Sequence, residues 1–198
     1  QERTFLLFLL SGGHCQILIA EGVGKYQELG STIDDSLGEA FDKVAKLLGL
    51  EYPGGPKIEQ IAKNGNEKRF KFPMPLITKK TEEERESLKF SFSGLKTAVR
   101  REIEKITGEN YNFETSAKKL TEQDKADIAA SFQYTVTNII ANRFENTVKL
   151  LEKKDFWKDK KKVMVIAGGV SANQYIKEKM TNICNKYNYD LITPPLKF

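Results

Sequence analysis

Three short blocks of apolar residues open the chain, at positions 4–10, 15–21 and 26–31, parted by Ser11-Gly12-Gly13 and Gly22-Val23-Gly24. Blocks of that length, bounded by glycine turns, predict a meander of three strands. The period then lengthens. Leu37, Phe41, Val44, Ala45 and Leu48 recur at helical spacing and predict an amphipathic helix. A second, shorter helix is predicted to start around Pro56, with Ile58, Ile61 and Ala62 as its apolar face and Asn64-Gly65-Asn66 as its stop. Residues 66–89 are dense in charge and proline, centred on Lys79-Lys80-Thr81-Glu82-Glu83-Glu84-Arg85, and are expected to form a mobile excursion.

Helical signals return from Ser93 to about Ile106, and residues 107–120 form a connection. Thr121 and Asp124 make an acidic variant of the capping box and open a long helix. Its stripe of Ile128, Phe132, Val136, Ile139, Ile140, Val148 and Leu151 makes it the expected spine of the core. A solvated lysine-rich linker follows at 153–162. Residues 163–167 then read as a buried strand, followed by a glycine loop, a helix to about Tyr187 and a last strand near 190–193. Three strands followed by alternating helices and strands are the pattern of an α/β, ribonuclease-H-like lobe, and residues 1–198 are read as essentially one such unit.

Composition narrows the class. At 198 residues with 39% hydrophobic and 30% charged side chains, the chain is globular in type, and no apolar run approaches the ~18 residues of a membrane helix. The start, Gln1 rather than Met, leads us to expect a piece of a longer protein. Cys15 and Cys184 are too few for a disulfide framework, which points to a reducing compartment, the cytoplasm. With His14 as the single histidine, a transition-metal site built wholly from this chain is not expected. The net charge of +5 permits a polyanionic partner without requiring one.

Asp35, Glu39 and Asp42 recur at four- and three-residue spacing, which a helix would place on one face beside the turn Pro53-Gly54-Gly55-Pro56. Fixed carboxylates next to bare backbone suit the vicinal hydroxyls of a ribose or small polyol. Taken alone, the spacing favours an ordinary amphipathic helix with a solvated acidic edge. Two further glycine loops, Leu9-Leu10-Ser11-Gly12-Gly13 and Ala167-Gly168-Gly169-Val170-Ser171-Ala172-Asn173, offer backbone N–H groups to an anion. The second precedes a helix, whose first amides favour phosphate oxygens. Together these features point to a nucleotide cleft of non-standard design. Gly24-Lys25-Tyr26 is not a Walker A loop, Gly22-Val23-Gly24 is not extended to GxGxxG, and neither Ser11 nor Ser171 sits in a GxSxG elbow.

SGGHCQ at 11–16, IDDSLGEAFDKVAKLLGLEYPGGP at 33–56, FSFSGLKTAVR at 90–100, DIAASFQ at 127–133 and AGGVSAN at 167–173 resemble, in order and over nearly the whole chain, the TsaD family. These are relatives of the Kae proteins within the actin, Hsp70 and sugar-kinase superfamily. The resemblance implies transfer of a threonylcarbamoyl group from threonylcarbamoyl-AMP to the N6 amine of adenosine 37 in ANN-decoding tRNAs. It implies tRNA and accessory proteins of the TsaB and TsaE type as partners, and a threonylcarbamoyl-AMP or ATP ligand. Leu9, Leu10, Ser11, Gly12 and Gly13 would surround its activated threonylcarbamoyl and phosphate end. Asp42, Gly55 and Glu59 would hold the adenosine and ribose, and Gly168, Gly169 and Asn173 would close from the other side. For 90–100, a helix start with a structural Phe-Ser-Phe anchor is preferred to a catalytic role.

The family's iron or zinc ion is bound by a histidine pair upstream of SGGH and an aspartate downstream of the last residue here, so the resemblance assigns no metal ligand and no catalytic residue to this chain. Half a cleft should bind weakly and turn over poorly, so the fragment alone is expected to be inactive. Two alternatives stand beside this reading: an ATP-dependent phosphotransferase lobe of the sugar-kinase type, and a noncatalytic lobe that docks a partner.

Overall fold

The computed structural model describes residues 3–78 and 81–195. Strands β1 (Phe5–Leu10), β2 (Cys15–Gly22) and β3 (Lys25–Ser31) form the expected meander. Helices α1 (Leu37–Leu47), α2 (Gly54–Ala62), α3 (Glu82–Glu86), α4 (Ser93–Thr107) and α5 (Glu122–Lys153) follow, and then β4 (Val163–Ala167), α6 (Gln174–Lys186) and β5 (Asp190–Ile192). The five strands lie in the order β3-β2-β1-β4-β5. β1 runs antiparallel to β2 and parallel to β4, and β4 runs parallel to β5. A meander extended by parallel strands through helical crossovers is the ribonuclease-H-like arrangement that the element order predicts.

β1 is central, and its sequence FLLFLL suits a strand covered on at least one face. Leu6, Phe8 and Leu10 are fully buried, while the alternate row is half-buried. Phe8 packs edge-on against Phe144 of α5 and Phe90, with ring centroids 6.1 Å and 6.3 Å away. Its parallel neighbour strand carries Met164, whose sulfur lies 3.7 Å from Cys184 Sγ of α6. The α5 spine therefore lies over the β1 row, as its apolar stripe predicts. Phe41 of α1 meets Phe132 of α5 at 5.1 Å, which joins the first helix to the same core.

The start of α5 is the expected box: Thr121 Oγ1 accepts from Asp124 N, and Asp124 Oδ2 accepts from Thr121 N, both at 3.0 Å. Two local expectations need correction. Asp35 is not on α1, because Ser36 is the N-cap and its hydroxyl accepts from Glu39 N at 3.2 Å. Capping by a serine hydroxyl ends the extended chain one residue after Asp35, which instead pairs with Lys43 at 2.8 Å. The glycine turn before Pro56 is also helical, since α2 already begins at Gly54 with Pro53 as N-cap.

The charged stretch 66–89 is docked along part of its length. Asp127 of α5 accepts from Asn66 N at 2.7 Å, Ser131 Oγ accepts from Phe70 N at 3.2 Å, and Phe72 is buried. Its later part contains α3, and Lys79 and Lys80 lie outside the described residues.

Candidate functional site: a cleft above the sheet

Four chain segments are brought together at the carboxyl end of β1. The β1–β2 turn is fixed by Ser11, whose hydroxyl accepts from His14 N at 3.0 Å and Gly13 N at 3.3 Å. α1 presses its first turn onto this loop. Gly38 N donates to Ser11 O at 3.1 Å, and Ser36 Oγ donates to Gly12 O at 2.6 Å. A Cβ on Gly38 would stand 2.5 Å from Gly12 Cα, so this contact requires glycine. On the other side the turn after β4 crosses the end of β1 equally closely. Gly168 has φ of +99°, and a Cβ there would lie 2.2 Å from Leu10 O.

The polar side chains of the site are held by helix ends. Asp42 Oδ1 accepts from Gly54 N at 2.9 Å and so ties α1 to the start of α2. Glu59 Oε1 accepts from Gln174 N at 3.0 Å, linking α2 to the start of α6. Asn173 caps α6 by accepting from Ile176 N at 2.9 Å, and its amide donates to Gln133 Oε1 of α5 at 2.9 Å. Each carboxylate spends one oxygen on the scaffold and has no other hydrogen bond among the described residues.

These segments enclose a cleft of about 490 Å³. Of the residues expected from sequence, Gly12, Asp42, Gly55, Glu59, Gly169 and Asn173 line it. Leu9, Leu10, Ser11, Gly13 and Gly168 do not: Leu10 is fully buried in the core, and Gly168 is packed on its carbonyl. Ser11 and Gly13 shape the turn that presents Gly12. Pro53 and Pro56 of the expected glycine turn and Val170 and Ala172 of the second glycine loop also line the cleft, together with Tyr52, to which no role was assigned from sequence. Gly38 and Phe41 sit one turn or less before Asp42 on α1, and that helical spacing was the available signal for them.

Nothing in the cleft has the form of an activated nucleophile. Burial pushes the Cys15 thiol up to about 12, and the Cys184 thiol likewise, so both are inert core groups. Among the described residues no three His, Cys, Asp or Glu side chains converge as metal ligands would, so the residues present do not fit the iron or zinc ion that the resemblance implies. What the cleft offers is backbone N–H groups, two carboxylates, an amide and an apolar wall.

The family described as "TsaD: tRNA N6-adenosine threonylcarbamoyltransferase" matches residues 2–198. The chain belongs to the TsaD family. Among TsaD relatives, the tRNA N6-adenosine threonylcarbamoyltransferase of Wolbachia pipientis wMel is 46% identical over 191 residues, which cover 96% of this chain and 50% of the relative. That of Rhizobium leguminosarum bv. trifolii is 43% identical over 192 residues, covering 97% and 48%. The chain thus spans about half the length of the curated TsaD relatives it matches. The crystal structure of full-length HypF in its phosphate- and nucleotide-bound form aligns with a TM-score of 0.56 and 13% identity, over 98% of this chain and 37% of that one. This likeness shows the fold. Among the described residues no helix is long and apolar enough to cross a membrane.

Proposed function

We propose that this chain is the nucleotide-holding lobe of a cytoplasmic tRNA N6-adenosine threonylcarbamoyltransferase. The supporting observation is the meeting of Gly12, Asp42, Gly55, Glu59, Gly169 and Asn173 around a single cleft whose volume is in the range of small-ligand and cofactor sites. The free oxygens of Asp42 and Glu59 accept the ribose hydroxyls, and the bare amides at Gly12 and Gly169 face the phosphate. In the transfer itself the N6 amine of a tRNA adenosine forms a bond to the carbamoyl carbonyl carbon of threonylcarbamoyl-AMP. The bond from that carbon to the phosphate oxygen breaks, AMP leaves, and the amine gives up a proton. This lobe serves the step by fixing the adenylate so that its carbonyl presents one face.

The family's iron or zinc ion, the rest of the cleft, and partner proteins of the TsaB and TsaE type are supplied from outside the described residues. The lobe alone is therefore expected to bind the nucleotide weakly and not to modify tRNA. Calorimetry with AMP and ATP tests the assignment. Binding by the chain that falls at least tenfold in Asp42→Asn and Glu59→Gln supports it, and equal heats from all forms would defeat it. Modification of tRNA by the chain mixed with its partner proteins would refute the expectation of inactivity.

A further inference from the structure

Residues 127–133 of α5, DIAASFQ, belong to the segments that resemble the TsaD family, yet none of them lines the cleft. Several have a plain use in the fold. Asp127 and Ser131 hold the amides of Asn66 and Phe70, and Phe132 packs on Phe41. Gln133 points to something else. It is 4% exposed, and its Oε1 accepts from Asn173 Nδ2 at 2.9 Å, a bond that runs from α5 to the cap of α6.

The direction of that bond is dictated from α6. Ile176 N can only donate, so Asn173 turns its Oδ1 to it at 2.9 Å and is left with its amide nitrogen toward Gln133. Gln133 must then meet it with oxygen. Its own Nε2 has no hydrogen bond among the described residues, and the side chain lines a second cavity, of about 260 Å³, together with Glu59, Lys63 and Glu67. Burying an amide is unfavourable unless it is bonded, and a methionine would fill much the same space without that penalty. The bond to Asn173 is what the glutamine adds. Asn173 is itself buried and lines the nucleotide cleft. One of its two amide protons is spent on Gln133, and the other has no partner among the described residues.

We infer that Gln133 is a positioning residue for nucleotide binding: it locks the Asn173 amide so that the remaining N–H is kept for an acceptor on the ligand. This rests on the nucleotide reading above and adds the buried group that sets one of its contacts. With the amide held on both sides, binding does not have to order it, which preserves affinity.

The test is calorimetry with AMP on the chain and on Gln133→Met, Gln133→Glu, Asn173→Ala and the double variant Gln133→Met/Asn173→Ala. AMP affinity should fall about 3- to 10-fold in Gln133→Met, which keeps the volume and loses the acceptor. It should stay within about twofold of the parent in Gln133→Glu, which keeps the acceptor and sets its second oxygen beside the cavity that Lys63 also lines. In the double variant AMP should bind within about twofold of Asn173→Ala alone, because Gln133 acts through Asn173. Without any ligand, the side-chain amide protons of Asn173 should exchange slowly in the parent and in Gln133→Glu and faster in Gln133→Met, read by NMR. Thermal unfolding of the same samples confirms that each form is folded. Unchanged AMP affinity in Gln133→Met, or Asn173 protons that stay slow in it, would overturn the positioning role and leave the nucleotide reading standing. Additive losses in the double variant would overturn it too, by assigning Gln133 to the fold. Absence of AMP binding by the parent chain would overturn both.

Discussion

Asp42 and Gly54 are joined by a hydrogen bond of 2.9 Å from the glycine N–H to carboxylate Oδ1. One bond thereby serves two ends. It satisfies one of the orphan amides at the start of α2, and it leaves the second carboxylate oxygen of a cleft-lining residue without a hydrogen bond among the described residues. Glycine is required on the other partner, because a Cβ at 54 would stand 2.5 Å from Ala45 Cβ. Asp42→Asn keeps an acceptor for Gly54 but presents an amide N–H₂ to the ligand. It should retain the unfolding temperature while AMP affinity drops about tenfold or more. Asp42→Ala should lose both, with about 1 kcal/mol of stability gone, a shift of roughly 2–4 °C for a chain this size. Thermal unfolding beside calorimetry separates the two, and a destabilised Asp42→Asn would show that charge matters to the cap.

Gly55 gives the complementary case. It lines the cleft within the first turn of α2, and a Cβ added there meets nothing within 4 Å. Alanine is the better helix former, so Gly55→Ala should leave stability unchanged or raise it by up to about 1 kcal/mol. The added methyl projects where the ribose is proposed to lie, so nucleotide binding should weaken. Unaltered AMP affinity in a folded Gly55→Ala would move the ribose elsewhere in the cleft.

The sheet and the long helix were legible because their signals are redundant. β1 is apolar throughout, and the box of Thr121 and Asp124 opens α5 where it was predicted. Part of the cleft was legible through its glycine pairs, although such pairs also mark plain turns: Gly168 is closely packed, whereas a Cβ on Gly12, Gly13 or Gly169 would meet nothing within 4 Å. What escaped depended either on a local choice of cap or on contacts distant in sequence. Asp35 looked helical by spacing, and only Ser36 capping Glu39 excludes it. The docking of residues 66–72 rests on Asp127 and Ser131, some sixty positions away, and no local pattern marks them as receptors for backbone amides. Tyr52 carries no local pattern that marks it as a cleft residue, and its place there follows from the turn that leads into α2.

Acid should unfold the chain through three carboxylates. For Asp34, Asp124 and Asp127, burial pulls the carboxyl pKa upward, but hydrogen bonds outweigh it and hold each below its ordinary value. The bonds come from Ser91, Phe92 and Ser93 to Asp34, from Thr121 and Arg69 to Asp124, and from Asn66, Arg69 and Gln123 to Asp127. The folded carboxylates therefore bind protons less readily than the unfolded ones, whose pKa is about 3.9. Their stabilisation is complete above that value and is lost as pH falls through the lower folded values. Denaturant midpoints should be flat from neutral pH to about pH 5 and drop steeply below about pH 4. Asp127→Asn, less stable throughout, should show a shallower drop, and an unchanged acid slope would remove Asp127 from this account.

Arg143 is a charged side chain with no solvent exposure, and its partners decide what it does. Its Nε donates to Lys89 O at 2.8 Å and its Nη1 to the side-chain Asn142 Oδ1 at 3.0 Å and to Arg85 O at 3.4 Å, while Nη2 is buried without a hydrogen-bond partner. Asn146, one turn on, donates to Arg85 O at 2.7 Å and Ser87 O at 3.1 Å. Two side chains of α5 thus hold the strap after α3 by its carbonyl oxygens. Burial lowers the guanidinium to about 10, which still leaves it charged at neutral pH. A buried cation with carbonyl partners only is costly to keep, yet removing it strands those carbonyls. Arg143→Ala should cost about 2–4 kcal/mol in denaturant unfolding and open a void beside α5. Arg143→Lys reaches fewer carbonyls and should fall in between. In both, amide hydrogen exchange should quicken across residues 82–89 more than in β1. Equal acceleration in the strap and in the central strand would instead mean that Arg143 supports the core as a whole.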